Sequence, residues 1–301
     1  MKKKTYLFAL MAMALTLGSC SDNENGIGGE TSKYITVSTS IGNMTRVATD
    51  ANGGQTFEEG DEISVYAWTG APTVAPETRE RVVNNAINKL TNGSWISTPQ
   101  MLWKNNREKH YFIGVYPTAA ISDLSAGEYT FDETKQVESD LLVAVNKDGL
   151  SYNVDEQQPV PLTFTHVMAK LVVNLTYKNQ WGTEGPTVDK VVVGNAAKKA
   201  TINYLTKVVT PSTTAKEDFS LPEITENTKY VSVIIPQEDV KQLTIVIGGK
   251  NFVYDNGTPF KLESGKITTV NLEVGRDEIK LGDVKITDWE DGSTFGGEAL
   301  N

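Results

Sequence analysis

Along this chain of 301 residues the apolar positions fall in short runs, many of period two, separated by Gly, Asn, Asp and Pro. The clearest alternation lies at 34–41. There Ile35, Val37 and Ile41 share one face and Thr36, Ser38 and Ser40 the other, as expected of a strand with one buried side. Further runs rich in β-branched and aromatic residues occupy 62–68, 82–90, 111–116, 141–145, 170–177, 190–193, 230–235, 243–247 and 268–274. No apolar stripe keeps helical spacing beyond about two turns. The pairs Asn52-Gly53, Asn92-Gly93, Asp148-Gly149 and Asn256-Gly257 tolerate the positive φ of tight hairpins, so each predicts a turn between strands. Many short strands with turn residues between them predict an all-β fold of two tandem antiparallel β-sandwich domains. The boundary is expected near 165. There Pro159 to Thr165 leads into His166-Val167-Met168-Ala169-Lys170-Leu171 and a new strand-and-turn series begins, giving domains 33–165 and 166–301.

The amino end has a different texture. Lys2, Lys3 and Lys4 precede an apolar run that closes on Leu17-Gly18-Ser19-Cys20, the organisation of a lipoprotein signal peptide over residues 1–19. The run is shorter than the roughly 20 residues a membrane span needs. Cys20 is the single cysteine, which excludes an internal disulfide and a cysteine-based metal cluster and leaves lipidation as its expected role. Diacylation of its thiol and acylation of the new amino terminus would supply the two or more membrane signals that stable anchoring requires. Residues 20–32, acidic and Gly-rich without hydrophobic periodicity, are expected to be a tether.

With 28 Lys+Arg against 38 Asp+Glu, the formal charge is −10. Removing the leader takes three lysines and no acid, moving it to −13. Phosphate binding leaves a basic footprint, so nucleic acid is not an expected partner; the acidity serves solubility.

The same composition argues against an enzyme. His110 sits among Tyr111, Phe112 and Tyr116, and His166 opens an apolar strand, so both are expected to be hydrogen-bonded structural groups. Two isolated histidines without zinc-ligand spacing predict no metal, and no cofactor motif is present. Gly248-Gly249-Lys250 and Gly265-Lys266 are not phosphate loops: Phe260 stands where the second would need its first glycine, and no Ser or Thr follows either lysine. The tail acids Asp288, Glu290, Asp291 and Glu298 depart from EF-hand spacing and read as solvated surface. Carboxylate pairs carry no specificity among 38 acids. The five tryptophans, at 68, 95, 103, 181 and 289, read chiefly as core, with a sugar-stacking platform as the functional alternative.

Several spaced features together resemble the fimbrillin-like lipoproteins of Bacteroidales-type bacteria, the Mfa-like subunits of type V pili. They are the Cys20 lipobox; the Ile-x-Val strand followed by Thr45-Arg46; Phe57-Glu58-Glu59-Gly60-Asp61-Glu62-Ile63-Ser64-Val65-Tyr66-Ala67; Trp95, Trp103 and the run His110 to Pro117. Asp140-Leu141-Leu142-Val143-Ala144, Leu162-Thr163-Phe164-Thr165-His166 with Lys170-Leu171, and Leu262-Glu263-Ser264-Gly265-Lys266 continue the order.

The resemblance implies a surface-exposed lipoprotein of the outer membrane and fimbrium, a stalk, anchor or tip subunit. It would be cut after an arginine by a trypsin-like protease, for which Arg46 is the matching position. If the strand carrying Ile35, Val37 and Ile41 is paired into the first sandwich, its release exposes an apolar groove and an unpaired edge that another subunit's strand can fill. The family keeps a donor near the C-terminus, which here points to Ile279 and Leu281 on one face and Val284 and Ile286 on the other, with Gly282-Asp283 interrupting the phase. The expected partners are other fimbrillin subunits, the outer membrane through the lipid, and a host or bacterial surface ligand. The alternative reading is a surface glycan-binding lipoprotein.

Overall fold

The computed structural model describes residues 33–42, 56–153 and 158–289, all within one compact unit. The first half of the chain forms β1 (Val37–Ile41), β2 (Glu62–Thr69), β3 (Arg81–Thr91), β4 (Ser94–Thr98), β5 (His110–Tyr116), β6 (Gly127–Thr130), β7 (Leu142–Leu150) and β8 (Val160–His166). The second half forms β9 (Ala169–Tyr177), β10 (Lys190–Ala197), β11 (Lys199–Asn203), β12 (Val208–Pro211), β13 (Lys216–Leu221), β14 (Glu223–Thr225) and β15 (Lys229–Ile234). It continues with β16 (Gln242–Ile247), β17 (Lys250–Asp255), β18 (Lys266–Val274) and β19 (Ile279–Asp288). Two short 3-10 turns, Thr78–Glu80 and Asn179–Trp181, are the only helical elements among the described residues, so the fold is all-β.

A seven-stranded sheet, β1-β8-β7-β5-β2-β3-β4, uses residues 37–166 alone. The second half supplies a four-stranded sheet, β13-β10-β16-β17, and a five-stranded sheet, β14-β15-β9-β18-β19. Strand β6 leaves the first half to pair with β11 in a three-stranded sheet, β12-β11-β6. Pairing is antiparallel except for β1 with β8 and β9 with β18.

The near-continuous apolar text of β2, EISVYAWT, has a physical reason: both faces of this strand are buried. Ile63, Val65 and Ala67 enter one core, while Tyr66 and Trp68 enter another. β5 and β7 divide in the same way, with Phe112, Leu142 and Ala144 in the smaller core and Ile113, Val115 and Val143 in the larger. The larger core also takes residues from the second half, Leu171 and Phe219 among them.

Turn chemistry departs from expectation in places. Asn92-Gly93 does join the hairpin β3–β4, but Asn52-Gly53 lies outside the described residues. Asp148-Gly149 is not a hairpin turn. It lies inside β7 at an irregularity in the pairing with β5, where Gly149 has φ +65° and a Cβ would come within 2.7 Å of the Tyr111 ring. Asn256-Gly257 ends β17 without forming a hairpin with the next strand, since β17 pairs back with β16. The turn between those two strands is Gly248-Gly249, at φ +57° and +74°, which explains the glycine pair that superficially resembled a phosphate loop.

One polar cluster is buried where β8 passes into β9. The His166 Nδ1 lies 2.8 Å from Asp140 Oδ1, and the imidazole stacks on Trp289 with centroids 4.1 Å apart and planes at 6°. Lys170 Nζ lies 5.0 Å from the Trp289 ring centroid. Burial, opposed in part by the Asp140 charge and helped by Lys229, pulls Lys170 from the ordinary value of 10.5 to about 8. Between those two values the unfolded chain holds a proton that the folded chain has released, so stability rises with pH across that window.

Two outcomes follow from this packing. Lys170→Met flattens that rise relative to wild type, measured by urea midpoints at pH 7.5 to 10.5; an unchanged slope contradicts the burial argument. In β5, a Cβ at Gly114 would meet Phe164 Cζ at 2.6 Å and Leu162 Cδ1 at 3.2 Å. Gly114→Ala is therefore expected to cost about 1–3 kcal/mol in urea unfolding, as overpacked cores do, and a loss under about 0.5 kcal/mol would show that the ring can move aside.

Candidate functional site

The arrangement with the clearest functional content is the seat of β1. The alternation read at 34–41 is kept: Ile35, Val37 and Ile41 are 2%, 6% and 8% exposed, which places all three side chains in the smaller core. They lie among Ile63, Val65, Met101, Phe112, Leu162 and Phe164. Phe57 lies beside Phe164, Trp95 and Tyr116 in edge-to-face contacts of 5.1–5.4 Å. Burying three such aliphatic side chains stabilises this seat by about 5–9 kcal/mol gross.

The backbone of this segment is bonded on both sides. Along one edge β1 runs parallel to β8, with Val37 opposite Val160 and Ile41 opposite Phe164. Val160 N–H donates to Thr36 O at 2.8 Å and Gly42 N–H to Phe164 O at 2.8 Å. On the other side, just before β1, Ile35 N–H donates to Met101 O at 2.9 Å and Trp103 N–H to Lys33 O at 3.1 Å, around an antiparallel bridge between Tyr34 and Leu102. Trp95 Nε1–H adds a bond to Thr39 Oγ1 at 3.0 Å. β1 thus joins the β8 edge of the seven-stranded sheet to the chain that follows β4 at the other edge. Removing it would uncover the apolar side chains and leave both backbone strips unpaired.

Cys20 and Arg46 lie outside the described residues, so the lipidation and processing positions have no geometry to report. The 43–55 segment containing Arg46 directly follows the end of the β1 seat.

The candidate donor residues all lie on β19, and their faces need correction. Gly282 is an extra residue opposite the Asn271–Leu272 step, a bulge that reverses the side-chain phase. Ile279, Leu281, Val284 and Ile286 therefore stand opposite Val274, Leu272, Val270 and Thr268, all four on one face of the sheet. Period-two reading through Gly282-Asp283 had placed them on two. β19 is an edge strand here, and Leu281, Val284 and Ile286 are each 38% exposed.

Both histidines serve structure. His110 is fully buried, and burial pushes it below the ordinary histidine value. Its Nδ1 lies 3.1 Å from Glu108 O, and its Nε2 accepts from Lys104 N–H at 3.1 Å. His166 is held by Asp140 on one nitrogen, while its Nε2 has no partner among the described residues. Asp288, read as a solvated acid, pairs with Lys266 across β18–β19. Glu290, Asp291 and Glu298 lie outside the described residues.

The tryptophans are not uniformly core. Trp68 and Trp289 are buried, whereas Trp95, Trp103 and Trp181 are half-buried. Sequence reading missed β8 as the partner of β1, although Val160, Leu162, Phe164 and His166 alternate with Pro161, Thr163 and Thr165. It also missed the 101–103 segment. No periodic signal marks that stretch, because its role comes from pairing with residues 33–35.

Comparison with known proteins agrees with this architecture. No curated protein sequence matches the chain. Among solved structures, a candidate cell adhesion protein from Bacteroides uniformis is 19% identical, with a TM-score of 0.65 over 86% of this chain and 100% of that one. Another candidate cell adhesion protein, from Bacteroides ovatus, is 18% identical, with a TM-score of 0.64 over 85% of this chain and 98% of that one. A fimbrial protein from Bacteroides vulgatus is 13% identical, with a TM-score of 0.52 over 84% and 99%. At these identities the likeness speaks for the fold. The sequence profile described as fimbrillin-like matches residues 45–289, four-fifths of the sequence and nearly all of the described strands, and the chain belongs to the fimbrillin-like family.

Proposed function

We propose that this chain, a pilus subunit of the cell-surface fimbrium by family, is assembled by exchange of β1 for a strand of a neighbouring subunit. The observation that carries the reading is the seat of β1: three aliphatic side chains in a closed apolar core, bonded on both backbone sides, directly before the segment that holds Arg46. Cleavage after Arg46 would free residues 33–46. An incoming extended segment would then regain both the apolar burial and the backbone pairing.

The bulged β19 is the insert we propose. Its four apolar residues share a face, which removes the objection that their phase is broken, and it pairs only with β18 at the sheet edge. Cys20 would carry the lipid that delivers the subunit to the outer membrane. Adhesion, named for two of the structural relatives, fits a surface subunit of this kind. We also place two sandwich domains on either side of residue 165, a reading supported by the restriction of the seven-stranded sheet to residues 37–166.

Three outcomes are expected. Purified protein lacking residues 1–19 and treated with trypsin at limiting ratio should form ladders of oligomers on native gels while Arg46→Ala stays monomeric; a cut wild type that never oligomerises, or an identical Arg46→Ala variant, would sink strand release at this site. Leu281→Asp with Val284→Asp should be cut normally yet fail to polymerise, and ladders of undiminished length would exclude β19 as the insert. In a host that processes lipoproteins, Cys20→Ser should move the protein from the membrane fraction to the soluble one, where retention on the membrane would exclude the lipid anchor.

A further inference from the structure

The last described stretch of the chain is held unevenly. From Arg276 to Trp289, Trp289 is the one buried side chain, 8% exposed. Strand β19 before it pairs with a single neighbour, β18, and its Leu281, Val284 and Ile286 remain partly exposed, while Ile279 packs against the larger core at the start of the strand. The side-chain ties across this pair lie at the surface: Asp288 with Lys266, and Asp283 Oδ1 accepting from Asn271 Nδ2 at 2.5 Å. Exposed ties of this kind contribute little. Beyond its one backbone ladder, the far end of β19 is therefore fastened by Trp289, a side chain of a type that buries roughly 150–250 Å².

The seat of that ring is built where β8 passes into β9, against the turn that opens β18. Ser264 Oγ–H donates to Val167 O at 2.9 Å and Gly265 N–H to Met168 O at 2.8 Å, which stitches the turn to this corner. Gly265 has φ +67°, and a Cβ there would lie 3.1 Å from His166 O, so the close approach requires glycine. Trp289 N–H in turn donates to Gly265 O at 3.0 Å, and its indole stacks on His166 at 4.1 Å. Asp140 fixes that imidazole through Nδ1 at 2.8 Å, and Lys170 Nζ lies 5.0 Å from the indole centroid. His166, Asp140 and Lys170 all lie outside β18, so the ring ties β19 to parts of the fold that its own backbone pairing does not reach.

The seat is also biased toward release. Trp289 Nε1 and His166 Nε2 are both buried without a hydrogen-bond partner among the described residues. Each gains water when the ring withdraws, which offsets part of the stacking and burial that are lost.

We propose that Trp289 is a latch: seated on His166 beside Lys170, it holds β19 in its own sheet, and withdrawal of this one side chain frees the strand while the rest of the fold stays closed. Local opening of this kind is expected where one buried contact terminates an otherwise exposed edge strand. The consequence for assembly rests on the reading of β19 as the insert: the latch would keep that strand at home in a lone subunit and set how readily it leaves.

The test uses the whole chain without residues 1–19, uncleaved, and follows hydrogen–deuterium exchange. In Trp289→Ala, the amides of Ile279–Asp288 should exchange at least tenfold faster than in the wild type, while peptides covering β5 and β10 keep their rates. Trp289→Phe, which retains a ring able to stack on His166, should stay within threefold of the wild type. Unchanged exchange of β19 in the alanine variant, acceleration spread evenly over every peptide, or a phenylalanine variant as loose as the alanine one would each overturn the latch. Assembly is then measured separately after cutting with an arginine-specific protease, since β19 contains lysines but no arginine. Native-gel ladders should grow at least threefold faster from Trp289→Ala than from the wild type. Ladders that grow no faster from a loosened β19 would count against β19 as the insert and leave the latch standing, so the two failures are told apart.

Discussion

The account rests on the pairing of one short segment, residues 33–42, with a different partner on each side. β1 contributes only five residues, yet it lies against β8 along one edge, and the residues just before it bond to the strip that follows β4. Its apolar face is the lid of the smaller core. A strand held this way is stable while present, and its loss leaves a defect of matching shape: an apolar channel and two unpaired backbone strips. Such a defect is costly in water, and an extended segment of another chain is what can repair it. Folding and assembly would then use the same contacts in turn, and cleavage would decide which chain supplies them.

The remainder of the fold makes that exchange local. The central strands β2, β5 and β7 send side chains into both cores, so they stay anchored in the larger core even where the smaller one is opened. Tyr66, Ile113 and Val143 face away from the channel into packing that includes the second half of the chain. At the far end of the sequence, β19 is an edge strand whose apolar face is half exposed.

Much of this was legible in the chain itself. Each run of β-branched and aromatic residues that predicted a strand is one, and the 34–41 alternation correctly marked which side chains of β1 are buried. The strands missed are mostly short or polar, such as β6, β12 and β14, whose stability comes from pairing and not from their own apolar content. The β19 phase was misread because period-two reasoning fails across a bulge, and a bulge is visible only in the register. Asp148-Gly149 misled for a related reason: a glycine that permits a turn also permits an irregularity inside a strand. The parallel pairing of β1 with β8 leaves no local signature, since it joins segments far apart in sequence.

The central claim is that β1 seals the β8 edge and that its departure opens it. Hydrogen–deuterium exchange of peptides covering Val160–His166, compared before and after cleavage at Arg46 under conditions too dilute for assembly, reads that seal directly. The account predicts exchange at least tenfold faster in the cut monomer, with strands β2 and β5 unchanged. Equal protection of Val160–His166 in the cut and uncut protein would contradict it.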